Sequence, residues 1–301
     1  MKLHICILIL LFPVFGYSQN LKEHYKFNNE GDSLVRVNKI NDATYSYKKA
    51  LKYFDNDYLT HQSLAAIYLR LNKNKKAHYH LRLAISNGIE LGLLKNDTTI
   101  KKYFKENLAW SAYYKEINQK FMSKIPYQEE RITLIKLLEK DQGLRGLLGK
   151  LDFKKVDSLI HENDISNMAS INKIIDRIGF PDKVKVGVDG SNSLFILLMH
   201  TLNNGVDQKI NSEKIFPLIE KSVKEGNFPP FYYAILVDRQ RGLRNEKQVF
   251  GTYWENKEKK RIITPIENIE SVDRRRFGIG LPRLKYSSEL SNLILPKDYI
   301  N

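Results

Sequence analysis

Leu64–Ala84 reads LAAIYLRLNKNKKAHYHLRLA, and the spacing of its small and large apolar residues decides the fold. Leu64, Ala65 and Tyr68 recur at helical spacing, and so do Ala77, Leu81 and Ala84. The register 34 residues earlier holds Gly31, Leu34, Ala43, Tyr47 and Ala50. Small residues recur where two antiparallel helices must approach closely, and large ones where they fill the groove between them. Residues of about 24–91 therefore read as helical hairpins in series.

Working outward, this 34-residue period resembles the tetratricopeptide repeat, with two copies before Gly88. The resemblance implies an array that engages a protein or peptide partner. Asn96-Asp97 then looks like a cap for a helix over Thr98–Lys105. Trp110, Tyr113, Tyr114, Ile117 and Phe121 continue the apolar face beyond it. Those aromatics read either as a peptide groove or as a closing helix over the last exposed repeat face.

Toward the N-terminus, Lys2 precedes an apolar run from Leu3 to Phe15, and Gly16 and Ser18 follow as the small residues of a cleavage site. Residues 1–18 are expected to be a secretory signal peptide, leaving Gln19 first. The run is too short for a membrane span and Pro13 interrupts it, so no transmembrane segment is expected after signal removal. The single cysteine, Cys6, lies inside the run. Its removal excludes disulfides, thiol catalysis and cysteine-ligated zinc. The expected location is the periplasm or the extracellular space.

A chain of 301 residues suits about two domains. Pro126 marks the expected boundary, dividing 19–125, the helical repeats, from 126–301, an α-rich domain. The net charge of +15, in an exported chain, points to an envelope surface, lipid phosphate or anionic polymer rather than nucleic acid. The basic runs Lys257–Arg261 and Arg274–Arg276 read either as such a face or as solvated loop.

In the second domain, helices are expected from Gln128 to Arg145, around Phe153–Ile160, and from a cap at Asp164 to Ile178, stopped by Gly179. A turn is expected at Asp189-Gly190, then a buried helix from Leu194 to Met199 closed by His200. Pro217 interrupts Gln208–Glu225, and Pro229-Pro230 starts a helix over Phe231–Arg239. Gln248–Trp254 and Arg261–Ile266 read as a small β-hairpin around the polar loop Glu255–Lys260.

From Phe231 to Leu281, polar residues and glycines fall on neither a helical nor a strand period, which marks a candidate site. Arg239, Arg275 and Arg276, with Gln248, could bind an anion through forked hydrogen bonds or could brace the hairpin. Asp141 and Arg145, four apart, form either a surface ion pair or a ligand-facing pair. His200 is either a core histidine or an acid–base group oriented by Asp238 or Asp141. No metal-ligand spacing accompanies it, and no cofactor is expected.

Asp141-Gln142-x-x-Arg145, the helix and turn Ile174–Pro181, His200, Asp238-Arg239, Gln248-x-Phe250-Gly251-Thr252 and Val272–Arg276 together resemble a family of uncharacterised bacterial domains of unknown function. The resemblance covers about Gln128–Tyr286 and implies no reaction. This chain departs from the family's pattern after His200, at Thr201-Leu202, and after Thr252, at Tyr253.

The expected fold class is all-α, a helical-hairpin array followed by an α-helical domain with one small β-hairpin near 248–266. The expected function is an exported binding module, its repeats for a protein or peptide and its second domain for an anionic group at Asp141, Arg145, Arg239, Gln248 and Arg275. The alternatives are a hydrolase or transferase using His200 with Asp238, and an envelope scaffold.

Overall fold

The computed structural model describes residues 14–94, 96–204 and 208–300. The apolar run preceding residue 14 lies outside them. The first half is built of helical hairpins: α1 (Val14–Arg36) packs on α2 (Ile40–Tyr53), and α3 (Tyr58–Arg70) on α4 (Asn74–Ser86). Ala43, Ala50, Leu64, Ala65, Ala77, Leu81 and Ala84 are all 0% exposed. A methyl group on Gly31 would stand 2.6 Å from the Tyr47 ring, so the small residue there sets the approach of α1 to α2.

The period extends to a feature that the apolar pattern does not reveal. Asn38 and Asn72, 34 positions apart, both take left-handed backbone, at φ 58° and 53°. In each turn the following lysine amide reaches back five residues, Lys39 to the Leu34 carbonyl at 2.9 Å and Lys73 to the Tyr68 carbonyl at 2.8 Å. This is the pairing that ends a helix by satisfying its last carbonyls. Asparagine tolerates that conformation better than other side chains carrying a Cβ.

A single turn, α5 (Leu91–Leu94), leads to α6 (Thr98–Glu106), capped by the Asp97 carboxylate, which accepts from the Thr99 and Ile100 amides. Helix α7 (Leu108–Met122) covers α4 and buries Tyr114 completely, as a closing helix would, while Trp110 and Tyr113 stay 38% and 41% exposed.

In the second half, α8 (Gln128–Arg145), α9 (Phe153–Ile178) and α10 (Lys183–Asn204) pack together, and α11 (Gln208–Lys224) and α12 (Pro230–Leu243) lie against α10. Leu134, Ile171, Leu194, Leu197, Leu198, Ile215, Ile219 and Leu236 form its core. Helix α9 is continuous, which corrects the expected break. Asp152 caps it, and Asp164 lies in mid-helix with its carboxylate held by Arg145 rather than by a backbone amide. The expected turn at Asp189-Gly190 is also displaced. The kink in α10 is at Gly187, at φ 73°, and a methyl there would meet Ile125 at 2.6 Å. Pro217 is accommodated inside α11, and Pro230 opens α12.

Strands β1 (Trp254–Lys257) and β2 (Lys260–Ile263) pair antiparallel, Trp254 opposite Ile263. This corrects the expected loop Glu255–Lys260, most of which is strand because Glu258 and Lys259, both at positive φ, turn the chain in two residues; the hairpin is shorter than expected because β1 begins only at Trp254. Helices α13 (Val272–Gly278) and α14 (Leu284–Ser291) complete the chain.

The halves meet closely. Val188 of α10 lies in the hairpin core, the Lys183 ammonium stands 5.5 Å from the rings of both Phe54 and Tyr58, and Gly280 presses on the Tyr25 ring. No described helix is long and apolar enough to cross a membrane.

Candidate functional site

The Asp141–Arg145 spacing places both side chains on one face of the last turns of α8, and α9 and α10 bring Asp164 and His200 against them. The Arg145 guanidinium donates through Nη2 to both oxygens of Asp164, at 2.6 and 2.9 Å, and through Nε to Asp141 at 3.2 Å. His200 Nδ1 lies 2.8 Å from Asp141 Oδ2, and the Gln142 amide donates to the same oxygen at 2.9 Å. Asp141 and Asp164 are each 1% exposed, whereas the Arg145 and His200 side chains keep 22% and 23%.

Chemistry assigns the histidine tautomer. A carboxylate only accepts, so the proton on Nδ1 points at Asp141 and the lone pair lies on Nε2. The 3.1 Å approach of Arg145 Nε to Nδ1 is then a contact between two donors that share the Asp141 carboxylate. Burial lowers the His200 pKa, and Arg145 adds to this, against the pull of Asp141 and Asp164. His200 is therefore neutral at pH 7, and its Nε2 can accept a hydrogen bond or a proton.

Further polar groups line the same buried stripe of α9. Asn163 and Asn167 are 5% and 1% exposed and share that stripe with Asp164. Asn163 Oδ1, both amide atoms of Asn167, and Oγ1 of Thr201, the neighbour of His200, have no hydrogen-bond partner among the described residues. Sequence reading missed Asn163, Asn167 and Thr201. Asp164 it took for a cap, because a carboxylate ahead of an apolar face has that signature.

The other expected site residues go elsewhere. Asp238 does not orient His200. Its carboxylate accepts from the amides of Val249, Phe250 and Thr252 at 2.7–2.9 Å and from the Thr252 hydroxyl at 2.8 Å. Burial raises its pKa, and those four bonds pull against that rise without cancelling it. Gln248 is likewise engaged, donating to the Tyr253 and Thr264 carbonyls at 2.9 Å and accepting from the Tyr253 amide at 2.6 Å.

Arg275 donates to the carbonyls of Val249, Asn268 and Glu267 and to the Ser271 hydroxyl, so it braces the loop. Arg276, 1% exposed, donates to the Phe250 and Pro282 carbonyls and to Ser287. Only Arg274 of the basic run is exposed, so Arg274–Arg276 is not a basic face. Arg239 lies beside Tyr253. Its Nε is buried without a partner among the described residues, and its guanidinium opposes the burial that raises the Tyr253 pKa. The Tyr253 hydroxyl in turn lies 3.8 Å from Met199 Sδ, next to His200.

The structure thus brings together Asp141, Arg145 and His200 with Asp164. It separates Asp238, Gln248 and Arg275 into a loop clamp. Among the described residues, no group of three or more histidine, cysteine, aspartate or glutamate side chains is placed to hold a metal ion.

Residues 130–293, more than half of the chain, match the sequence model of a family of unknown function (DUF6624), and the chain belongs to that family. The match spans both the Asp141–His200 cluster and the loop clamp. No curated protein matches the chain, and no solved structure does.

Proposed function

We propose that this member of the family is an exported binding protein. Its tetratricopeptide-like hairpins hold a protein or peptide partner, and its second half receives a small polar ligand at the Asp141–Arg145–Asp164–His200 cluster. The observation that carries the ligand site is the set of buried, unpartnered polar atoms of Asn163, Asn167 and Thr201 on the helices that carry the cluster. An unpaired buried polar group costs about 1–3 kcal/mol, so a ligand that pairs several of them at once would recover that cost.

Charge favours the class of ligand. Two carboxylates face one guanidinium, and a neutral His200 adds nothing, so the cluster suits a hydroxyl or amino group better than the anionic group expected from sequence. A second reading, proton transfer, is favoured by the Asp141–His200 bond, which sets the ring to accept at Nε2.

The ligand-site reading has a test that needs no ligand. Replacing Asn167 by leucine removes an unsatisfied amide and keeps the number and branching of the side chain's heavy atoms. If the amide serves a ligand, Asn167→Leu leaves the melting temperature unchanged or raises it by a few degrees. If it is architecture, the variant melts several degrees earlier and the reading fails. Export rests on Leu3–Phe15 with Gly16 and Ser18. Mass spectrometry of protein from an exporting host should find a chain beginning at Gln19, and retained Met1 in mature material counts against it.

A further inference from the structure

Helix α4 presents Lys75, His78, Tyr79 and Arg82 at spacings of three, four and seven along one face, and α7 sets Trp110, Tyr113 and Tyr114 against them. Between them lies a recess of about 230 Å³. Its aromatic wall is rigid. His78 is tied by both ring nitrogens, to the Tyr114 hydroxyl at 2.6 Å and the Tyr103 hydroxyl at 2.8 Å, and the Trp110 ring stacks on it at 3.5 Å. Tyr113 meets Trp110 edge to face at 5.5 Å.

Despite this anchoring, the aromatic surface is open. Tyr79, Trp110 and Tyr113 are 53%, 38% and 41% exposed. Rigid, exposed tryptophan and tyrosine beside arginine are the residue types that carry binding energy at interfaces, since little entropy remains to be lost when they are covered. The charge around them has one sign. No carboxylate lines the recess, and neither Lys75 nor Arg82 pairs with one among the described residues.

We propose that this face binds an acidic peptide segment carrying an aromatic side chain, which deepens the reading of the hairpins as the partner-binding part and rests on it. Lys75 and Arg82 are seven residues apart, about 10.5 Å along the helix. In an extended peptide that distance separates acidic residues about three positions apart. An aromatic residue between them would lie over the recess, on Trp110. The match of spacing, sign and aromatic surface selects the acidic peptide over an apolar one.

The chain has two tryptophans, so Trp254→Phe in the full chain leaves Trp110 as the only one. Its fluorescence is titrated with acetyl-Glu-Phe-Gly-Glu-amide and with the lysine counterpart acetyl-Lys-Phe-Gly-Lys-amide. The expected result is a saturable change with the acidic peptide alone, weakened about tenfold or more by Arg82→Glu at unchanged melting temperature. Equal response to both peptides, insensitive to Arg82→Glu, would overturn the acidic class while leaving the hairpins as a peptide surface. No response to either would remove this face from the partner-binding part altogether. Self-association in sedimentation that Trp110→Leu abolishes would assign the recess to a second copy of the chain and overturn the proposal.

Discussion

His200 and Asp238 show how one residue type pattern can serve two ends. Asp238 was marked by polarity off any regular period and His200 by its place at the end of a buried helix, yet Asp238 spends every lone pair on the 249–252 loop, while His200 Nε2 has no hydrogen-bond partner among the described residues. A loop without a ladder must satisfy its amides and carbonyls somehow, and Asp238, Gln248, Arg275 and Arg276 supply those partners. Irregular polar spacing therefore signals a loop needing support as well as a site. The histidine assignment can be checked directly. Folding lowers its pKa, chiefly by burial and against the pull of Asp141. NMR titration of the imidazole should place His200 below the usual value of about 6.5, and Asp141→Asn should lower it further. Since the folded value is depressed, its contribution to stability is present above about pH 6.5 and is lost as pH falls through the folded pKa. An Asp141→Asn protein with an unchanged or raised His200 pKa would show that the carboxylate does not hold the ring.

At the scale of elements, the hairpins were legible because small residues recur where helices touch, and the structure makes those positions fully buried. The repeated Asn38 and Asn72 turns went unread although they keep the same period, because a left-handed asparagine has no apolar signature. Helix α9 was misread for the opposite reason. A buried aspartate in mid-helix looks like a cap unless its partner is known, and Arg145 lies 19 residues away. The cluster was half legible on the same grounds. Asp141 and Arg145 share a helix face and could be paired by spacing, whereas Asp164 and His200 reach them only through the packing of α8, α9 and α10, and Asn163, Asn167 and Thr201 neighbour those two along α9 and α10. A small β-hairpin was expected and is present, but its strands were misplaced, since Gln248–Tyr253 is β-prone in composition and is instead folded around the Asp238 carboxylate, while Glu255–Lys257, read as loop, forms β1.

Over the whole molecule, the buried Leu21, His24 and Phe27 of α1 all lie beyond Gln19, so removal of residues 1–18 would keep them in the chain. Near Pro126 the two halves form a junction, where Ile125 meets Gly187 and the Tyr127 amide donates to the Lys185 carbonyl at 3.1 Å. That junction also contains a titratable contact. Glu90, just past the second hairpin, lies against Asp189 of α10, which Arg131 of α8 holds through Nε at 2.8 Å. Burial first and the Asp189 charge second push the Glu90 carboxyl up to about 7, against the pull of Arg131. A carboxyl raised on folding contributes stability that is fully present below its unfolded value of about 4.5 and is lost as pH rises through the folded one. The histidines act in the other direction, because burial pushes His80 down to about 3 and lowers His61 as well, so that their contribution is lost on acidification. The 2.9 Å bond between His61 Nδ1 and His80 Nδ1 needs one ring nitrogen to accept, which a doubly protonated pair could not provide. Stability should thus fall on both sides of a mildly acidic optimum, with Glu90 setting the alkaline side. Glu90→Gln keeps a donor for Asp189 and removes the charge. At pH 8 it should melt about 2–4 °C above the parent chain, at pH 5 the two should coincide, and the parent's decline between pH 6 and 8 should flatten in the variant. A decline of the same size in both proteins would place the alkaline sensitivity outside the junction.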